Sequence, residues 1–179
     1  MAGTATKTQR KKGAKTIARE YIEAIAARDL DRAVAMWRPG CPDHLHGFAE
    51  LEAPDGIRRY FEELFAAFPD WEMTVVDATG SGNRAAIRWH ATATFNGDAK
   101  FQGLAPNGAR IEIEGCDMLS IEDGEIVENH AYVNGAEMAQ QIGVLPPPGS
   151  VGERIFTGAA NARTAAGRAV ADLRARRKR

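Results

Sequence analysis

The chain has 179 residues, of which 44% are hydrophobic and 26% are charged, and its formal net charge is −1. This composition supports one domain-sized hydrophobic core. No apolar run approaches the roughly 18 residues that a membrane helix needs, and the basic start lacks the apolar stretch of a signal peptide. We therefore expect a cytoplasmic protein without a membrane partner, in which Cys41 and Cys116 are free thiols.

Basic residues are concentrated at the two ends of the chain. The first 15 residues carry five basic residues and no acid, and the segment from Arg163 onward carries seven basic residues and one acid. The middle of the chain is therefore acidic and would repel phosphate. We expect the basic ends to be solvated, and we expect no nucleic-acid partner.

Apolar residues at helical spacing predict three helices in the first part of the chain. Residues 1–15 lack this periodicity and are predicted to be a disordered basic tail. One helix begins near Ile17, a short second helix begins at Asp29, and Pro54 opens a third. Residues 43–47 are predicted to be a short strand or a loop. The apolar face of the third helix consists of Ile57, Tyr60, Phe61, Leu64 and Phe65.

After residue 70 the period of the hydrophobic pattern changes to two, which predicts strands. Four strands are expected, over residues 71–78, 84–95, 110–121 and 125–133. Turn residues at 80–83 and 122–125 join consecutive strands as hairpins, and consecutive hairpins make an antiparallel sheet.

Helical segments follow the predicted sheet. Asn134 and Glu137 have the spacing of a capping box and predict a short helix to Ile142. A proline run then ends the domain, which we place at residues 16–148. Residues 149–179 are rich in Ala and Arg and are expected to form a basic helical extension, lying on the body of the domain or on a partner subunit.

Three motifs resemble the SnoaL-like polyketide cyclases, or ester cyclases, of the NTF2-like superfamily. They are GIRRYF leading to AAFPDW at 56–71, GLAPNG at 103–108 followed by Asp117, and DGEIVE at 123–128 leading to QIGVLP at 141–146. The resemblance implies an α+β NTF2-like cone, in which a curved antiparallel sheet and N-terminal helices enclose one apolar pocket. In these cyclases a pocket histidine stands near the end of the long strand before the Gly-rich connection, and Phe95 has that position here.

A second resemblance, to the steroid Δ-isomerases of the same superfamily, concerns the segments around Tyr21 and Asp117. The isomerases use a tyrosine and a protonated aspartate as an oxyanion hole. The resemblance gives these roles to Tyr21 and Asp117. It places residues 44–46 where the isomerases have their general base.

Asp117 is the ionisable residue on the apolar face of the predicted strand at 110–121. Strand alternation places it with Ile111, Ile113, Gly115 and Leu119. Because burial disfavours a charged carboxylate, we expect a raised pKa and a catalytic role as an acid or hydrogen-bond donor. The alternative is a structural aspartate that Tyr, Trp or backbone donors satisfy.

His44 and His46 are two residues apart, so both side chains would point to the same side of an extended segment. His46 is a catalytic candidate, because a histidine can transfer protons near neutral pH. The alternative for His46 is a hydrogen-bonded position at the rim of the pocket. We expect no metal site, since no third ligand stands at a recognisable spacing.

Aromatic residues are the candidate walls of the pocket. Alternation places Trp89 and Phe95 on one face of the strand at 84–95, and the resemblance implies that this face lines the pocket. Large aromatics at such spacings are also typical of a plain core. The substrate-binding candidates are Tyr21, Trp37, His44, Phe61, Trp89 and Phe95.

These features predict an enzyme of secondary metabolism that cyclises or isomerises a small apolar carbonyl compound by acid/base proton transfer. The sequence has no phosphate loop, nucleophile elbow or paired cysteine–histidine motif, so we expect no cofactor. The alternative is a noncatalytic module that binds a ligand or a partner. We also expect a homodimer, because Cys116 and Met118 lie on the outer face of the sheet, which one layer of helices leaves uncovered.

Overall fold

A computed structural model describes residues 12–176 of the chain, with side chains through Arg168. Within this range the helices are Ala14–Ala26 (α1), Leu30–Val34 (α2), Asp55–Ala67 (α3), Gly135–Gln141 (α4) and Val151–Arg176 (α5). The strands are Pro42–His46 (β1), Ala49–Glu52 (β2), Glu72–Ser81 (β3), Arg84–Thr94 (β4), Arg110–Glu122 (β5) and Glu125–Val133 (β6).

The six strands form one curved, open sheet in the order β2-β1-β6-β5-β4-β3. Strands β3 to β6 form consecutive antiparallel pairs, as the hairpin signals predict. Strand β1 pairs with β2 in antiparallel fashion and with β6 in parallel fashion, which places Asp43 directly opposite Asn129. The expected α+β cone with a curved sheet is confirmed.

The turn between β5 and β6 shows why the hairpin register could be predicted. Asp123 and Gly124 both have positive φ angles, of 51° and 93°. A two-residue turn with both residues in this region is type I′, and Asp-Gly is one of its preferred sequences. Its twist matches that of the two strands, so the turn fixes the pairing next to it, in which Glu122 faces Glu125 and Ile121 faces Ile126.

Helices α1 to α4 lie on one face of the sheet, and the core lies between the two layers. Helix α1 packs against β3 and β4 with a buried stripe that includes Ile17, Tyr21 and Ile25, as predicted. The Asp29 carboxylate accepts from the backbone N–H of Arg32 at 3.1 Å and caps α2. The predicted caps therefore form where side-chain oxygens can accept the first free N–H groups of a helix.

The two ends of the chain differ in how far the structure tests them. Residues 1–11 of the predicted basic tail lie outside the described residues, and α1 takes in the last two residues of that predicted segment, Ala14 and Lys15. The C-terminal extension is helical, as expected, but residues 151–168 are almost all exposed. Over residues 151–168, helix α5 therefore does not lie on the body of the domain. None of the described helices is long and apolar enough to cross a membrane.

Candidate functional site

A cavity lies between the inner face of the sheet and helices α1 and α3, with a water-accessible volume of about 70 Å³. Most of its lining is aliphatic or aromatic, from residues such as Ile22, Leu64, Phe101, Ile113 and Met138. Polar groups enter this lining at a few positions. The carboxyl and amide groups among them are all buried: Asp43 and Asn129 are each 1% exposed, and Asp117 is 6% exposed.

Asn129 joins the two buried carboxyl groups. Its side-chain nitrogen Nδ2 donates to Oδ1 of Asp43 and to Oδ2 of Asp117, and both distances are 2.9 Å. The three residues come from β1, β5 and β6, which are neighbours in the sheet. One amide therefore uses both of its N–H donors to hold two carboxyl groups in an apolar cavity.

Trp89 supplies a further donor to this group. Its indole Nε1 donates to Oδ1 of Asp117 at 2.8 Å. The residue opposite Trp89 on β5 is Gly115, and a Cβ atom at that glycine would lie 2.2 Å from the Trp89 ring. The absence of a side chain at Gly115 is thus what gives the indole the space to reach Asp117.

Burial raises the pKa of both carboxyl groups. The pKa of Asp43 rises to about 8, first because the group is removed from water and second because the Asp117 charge is near, while the Asn129 hydrogen bond acts in the opposite direction. Burial also raises the pKa of Asp117, against hydrogen bonds from Trp89 and Asn129 that favour its charged form. With a pKa of about 8, Asp43 can hold a proton at neutral pH.

Two phenols line the same cavity. Burial, and then the nearby Asp43, raise the pKa of both Tyr21 and Tyr60 above the usual tyrosine range. The nearby Asp117 charge also raises the pKa of Tyr21. The neighbouring Trp37 indole lowers it, although the Trp37 N–H makes no hydrogen bond of normal geometry. Both hydroxyl groups are therefore neutral donors at ordinary pH.

Two further polar atoms of lining residues have no partner among the described residues. They are the indole Nε1 of Trp71, a donor, and Oδ1 of Asn129, an acceptor. An unsatisfied buried polar atom costs about 1–3 kcal/mol. A ligand that accepts a hydrogen bond from Trp71 or donates one to Asn129 would remove that cost.

The structure brings some of the predicted site residues together and separates others. Asp117, Tyr21, Phe61 and Trp89 all line the cavity. Trp37 and Phe95 are buried in the core beside it and do not belong to the lining. Phe95 instead stacks on Phe68, with ring centroids 4.8 Å apart.

His44 and His46 lie on the face of the sheet that points away from the cavity. The two histidines share one side of β1, as predicted, while the alternate residues Asp43 and Leu45 line the cavity. His46 is exposed and stacks on Tyr132, 4.5 Å away between ring centroids. The structure therefore does not bring His46 to Asp117, because alternation along a strand sends neighbouring residues to opposite faces.

Asp43 and Asn129 are the site residues that sequence reasoning missed. Asp43 would have followed from the same alternation had the inner face of β1 been known, but that face depends on a parallel pairing with β6. Asn129 was hidden by a register shift between Ser120 and Ile121, where β5 and β6 change their pairing. After the shift, Asn129 and Ala131 point inward, which the simple alternation along β6 does not show.

Comparison with known proteins identifies relatives of the whole domain. A sequence profile of the SnoaL-like polyketide cyclases matches residues 15–142. The structure of IdmH from Streptomyces antibioticus, a proposed polyketide cyclase, is 26% identical and superposes with a TM-score of 0.61, covering 74% of this chain and 99% of that one. AclR from Streptomyces galilaeus, a proposed hydroxylase, is 25% identical, with a TM-score of 0.63 and coverage of 74% and 97%.

A more distant structure shows the fold alone. It is a proposed SnoaL-like polyketide cyclase from Jannaschia sp., 19% identical, with a TM-score of 0.64 and coverage of 78% of this chain and 99% of that one. No curated protein sequence matches the chain.

Proposed function

The chain belongs to the SnoaL-like polyketide cyclase family, and we propose that it cyclises or isomerises a small apolar carbonyl compound of secondary metabolism by proton transfer in the cavity. The observation that carries this proposal is the pair of buried carboxyl groups, Asp43 and Asp117, that Asn129 joins. The structure of IdmH, at 26% identity, supports a cyclisation.

The hydrogen bonds favour different protonation states for the two carboxyl groups. Asp117 accepts from two side chains, Trp89 and Asn129, whereas Asp43 accepts from Asn129. Each donor stabilises a negative charge, and two negative charges so close together repel each other. The pair therefore holds one proton near neutral pH, with Asp43 as the acid and Asp117 as the carboxylate.

This arrangement suits chemistry at a carbon next to a carbonyl group. The Asp117 carboxylate takes a proton from that carbon, and the enolate oxygen accepts a hydrogen bond from the Asp43 hydroxyl. In a cyclisation, the enolate carbon bonds to a second carbonyl carbon of the same molecule, and the alkoxide so formed takes the Asp43 proton. The single proton of the pair then resides on Asp117. In an isomerisation, Asp117 returns its proton to a different carbon.

The remaining polar groups of the cavity would orient the substrate. Trp71 offers an unpartnered N–H and Asn129 an unpartnered oxygen, so a substrate with separated carbonyl and hydroxyl groups would satisfy both. The aliphatic and aromatic lining would bury its ring or chain. A polyketide-like compound has this combination of spaced oxygens and apolar surface.

Exchange of hydrogen for deuterium tests the proton transfer without knowledge of the natural substrate. 2-Tetralone is an apolar bicyclic ketone whose acidic C–H groups exchange in D₂O, and NMR follows the loss of their signals. We expect the protein to accelerate this exchange and Asp117→Asn to reduce the acceleration by about 10²-fold. The control is Glu114→Gln, the same change on the exposed face of the same strand.

The outcome also separates an enzyme from a binding module. Folded Asp117→Asn and Asp43→Asn proteins that exchange at the rate of the unchanged chain would refute the mechanism. If the unchanged chain binds the ketone without accelerating exchange, the noncatalytic module becomes the better interpretation.

We also propose that the protein is a homodimer formed through the outer face of the sheet. Met118 is 50% exposed and Tyr132 is 49% exposed on that face. They lie on the adjacent strands β5 and β6, where Tyr132 stands opposite the half-buried Cys116 and Met118 stands opposite His130. Such a surface is typical of a subunit interface.

A further inference from the structure

We propose that the outer face of the sheet carries a binding site for a divalent transition-metal ion, zinc in particular, formed by His44, Glu128 and His130. His44 belongs to β1, and the other two residues belong to β6. The site lies on the opposite side of the sheet from Asp43 and Asn129, so it is independent of the proposed reaction.

The parallel pairing of β1 with β6 assembles the three side chains. His44 stands directly opposite His130 in the register, and their rings stack with centroids 4.6 Å apart and planes inclined by 16°. Glu128 lies two residues before His130, on the same face of the strand. One ligand atom from each of the three residues lies within 4.8 Å of the other two.

Neighbouring contacts engage the Nδ1 atom of each of the two histidines. Nδ1 of His44 contacts the Glu50 carboxylate, so Nε2 is the ring nitrogen that this contact leaves available to a metal ion. Nδ1 of His130 lies 3.1 Å from Nε2 of His46. When His130 donates in that contact, its own Nε2 is free as well. A hydrogen bond from the second ring nitrogen is the usual support of a metal-binding histidine.

The Glu128 carboxylate lies next to Nε2 of His130. Its Oε1 lies 3.5 Å from Nε2 of His130. Two lone pairs at this distance repel each other unless a proton or a cation lies between them. Two ligand atoms bound to one tetrahedral zinc ion at about 2.0–2.2 Å lie roughly 3.4 Å apart, so the observed spacing needs little adjustment.

The ligand types select the class of ion. Two imidazole nitrogens and one carboxylate oxygen suit Zn²⁺, Co²⁺, Ni²⁺ or Cu²⁺, whereas Ca²⁺ and Mg²⁺ prefer oxygen ligands alone. Three protein ligands leave the fourth tetrahedral position to water. His44 is partly exposed, as are His130 and Glu128, so small side-chain rotations can bring its nitrogen to the metal. Zinc is the natural choice because it accepts this ligand set without a preferred geometry of its own.

Isothermal titration of the untagged, EDTA-treated full chain with ZnSO₄ near pH 7.5 tests the site. We expect one zinc ion per chain, bound in the micromolar range or tighter, and a higher melting temperature with zinc than without it. Both His130→Ala and His44→Gln should abolish binding. Glu50→Gln should weaken it by about 10- to 100-fold, because it removes the support of His44.

The matched control is His90→Ala. His90 also lies on the outer face and also contacts a carboxylate, since its Nε2 is 3.0 Å from Glu112, but it is not part of the cluster. Its loss should leave zinc binding unchanged. Titration with Co²⁺ gives a second readout, because a tetrahedral cobalt site absorbs visible light strongly and should fail to form in His44→Gln.

Two results would overturn the proposal. One is an unchanged chain that binds no zinc below millimolar concentration, in which case a proton is what joins His130 to Glu128. The other is zinc binding that survives in folded His44→Gln and His130→Ala proteins. Because all the ligands belong to one chain, we expect one zinc per chain; His130 stands directly opposite Met118 in the register, so the site borders the proposed dimer interface.

Discussion

The indole of Trp89 reaches the carboxylate of Asp117 at 2.8 Å across a glycine that stands directly opposite it, Gly115. This contact ties the packing of the sheet to the electrostatics of the cavity. The donor stabilises the charged form of Asp117, while the backbone of Gly115 gives the indole the space to reach it. Changes at either residue should therefore affect both stability and the pKa of Asp117.

Trp89→Phe keeps the aromatic ring and removes the donor. We expect the free energy of unfolding to fall by about 1–3 kcal/mol, the typical cost of leaving a buried acceptor unpaired. Urea unfolding measures the change. The matched control is Trp71→Phe, which removes an indole N–H of the same cavity that has no partner among the described residues and should cost less. Equal losses in the two variants would mean that the hydrogen bond to Asp117 contributes nothing.

Gly115→Ala should destabilise the protein through the Trp89 ring. The added Cβ would lie 2.2 Å from a ring carbon, so either the indole or the strand has to move. Thermal melts should show a clear loss of melting temperature, together with a changed near-ultraviolet circular dichroism signal from the displaced tryptophan. Gly158→Ala is the control: no atom lies within 4 Å of its added Cβ, and alanine is a better helix former at that position of α5. A Gly115→Ala protein with the same melting temperature as the unchanged chain would contradict this packing argument.

Local patterns predicted most of the fold, and long-range pairing decided the site. The strand period and the Asp123-Gly124 turn predict β5, β6 and the pairing next to their turn from neighbouring residues alone. In contrast, the inner face of β1 depends on pairing with β6, more than 80 residues away, as the hydrogen bond from Asn129 to Asp43 shows. The spacing of residues along the chain does not predict the pairing of β1 with β6. Alternation therefore found Asp117 but assigned the second titratable group to His46 rather than to Asp43.

Stability should decrease as the pH rises from about 5 to about 8. Burial raises the pKa of Asp43 to about 8 in the folded chain, whereas an unfolded aspartate has a value of about 3.9. Between these values the folded state binds the proton and the unfolded state does not. The stabilisation from the Asp43 proton is thus fully present below the pKa of the unfolded aspartate and is lost as the pH rises through the pKa of Asp43 in the folded chain. One such carboxyl contributes at most about 1.4 kcal/mol per pH unit.

Urea unfolding at several pH values in this range measures that slope. Asp43→Asn should reduce it, because the variant has no carboxyl group at that position to release a proton. Asp70→Asn is the control, because hydrogen bonds from Thr94 lower the pKa of Asp70 and its charge is constant over this range. A slope that is the same in Asp43→Asn and in the unchanged chain would show that Asp43 does not carry the proton.

Light scattering at micromolar concentration should give twice the chain mass of 19.4 kDa. The reason is the apolar surface around Met118 and Tyr132 on the outer face of the sheet. Met118→Lys should shift the equilibrium to the monomer, because it places a charge in the proposed interface. Val151→Lys makes the same kind of change at an exposed residue of α5, outside the sheet, and should leave the mass unchanged. A monomer mass for the unchanged chain would rule out the dimer at that concentration.

The rate of exchange or turnover should fall as the pH rises through about 8, because the proposed mechanism needs Asp43 as an acid and its pKa is raised to about 8 by burial and by Asp117. Asp43→Asn keeps the shape of the side chain and an N–H donor, but it has no acidity to lose. The rate of Asp43→Asn should therefore be about 10²-fold lower than that of the unchanged chain at neutral pH and should not decline near pH 8. The rates of the two proteins should approach each other at higher pH. Tyr60→Phe serves as the control, since it alters a lining hydroxyl whose pKa lies above the tested range and should retain the decline. If the decline near pH 8 persists in a folded Asp43→Asn protein, another group carries that proton and the assignment of acid and base in the cavity has to be reversed or abandoned.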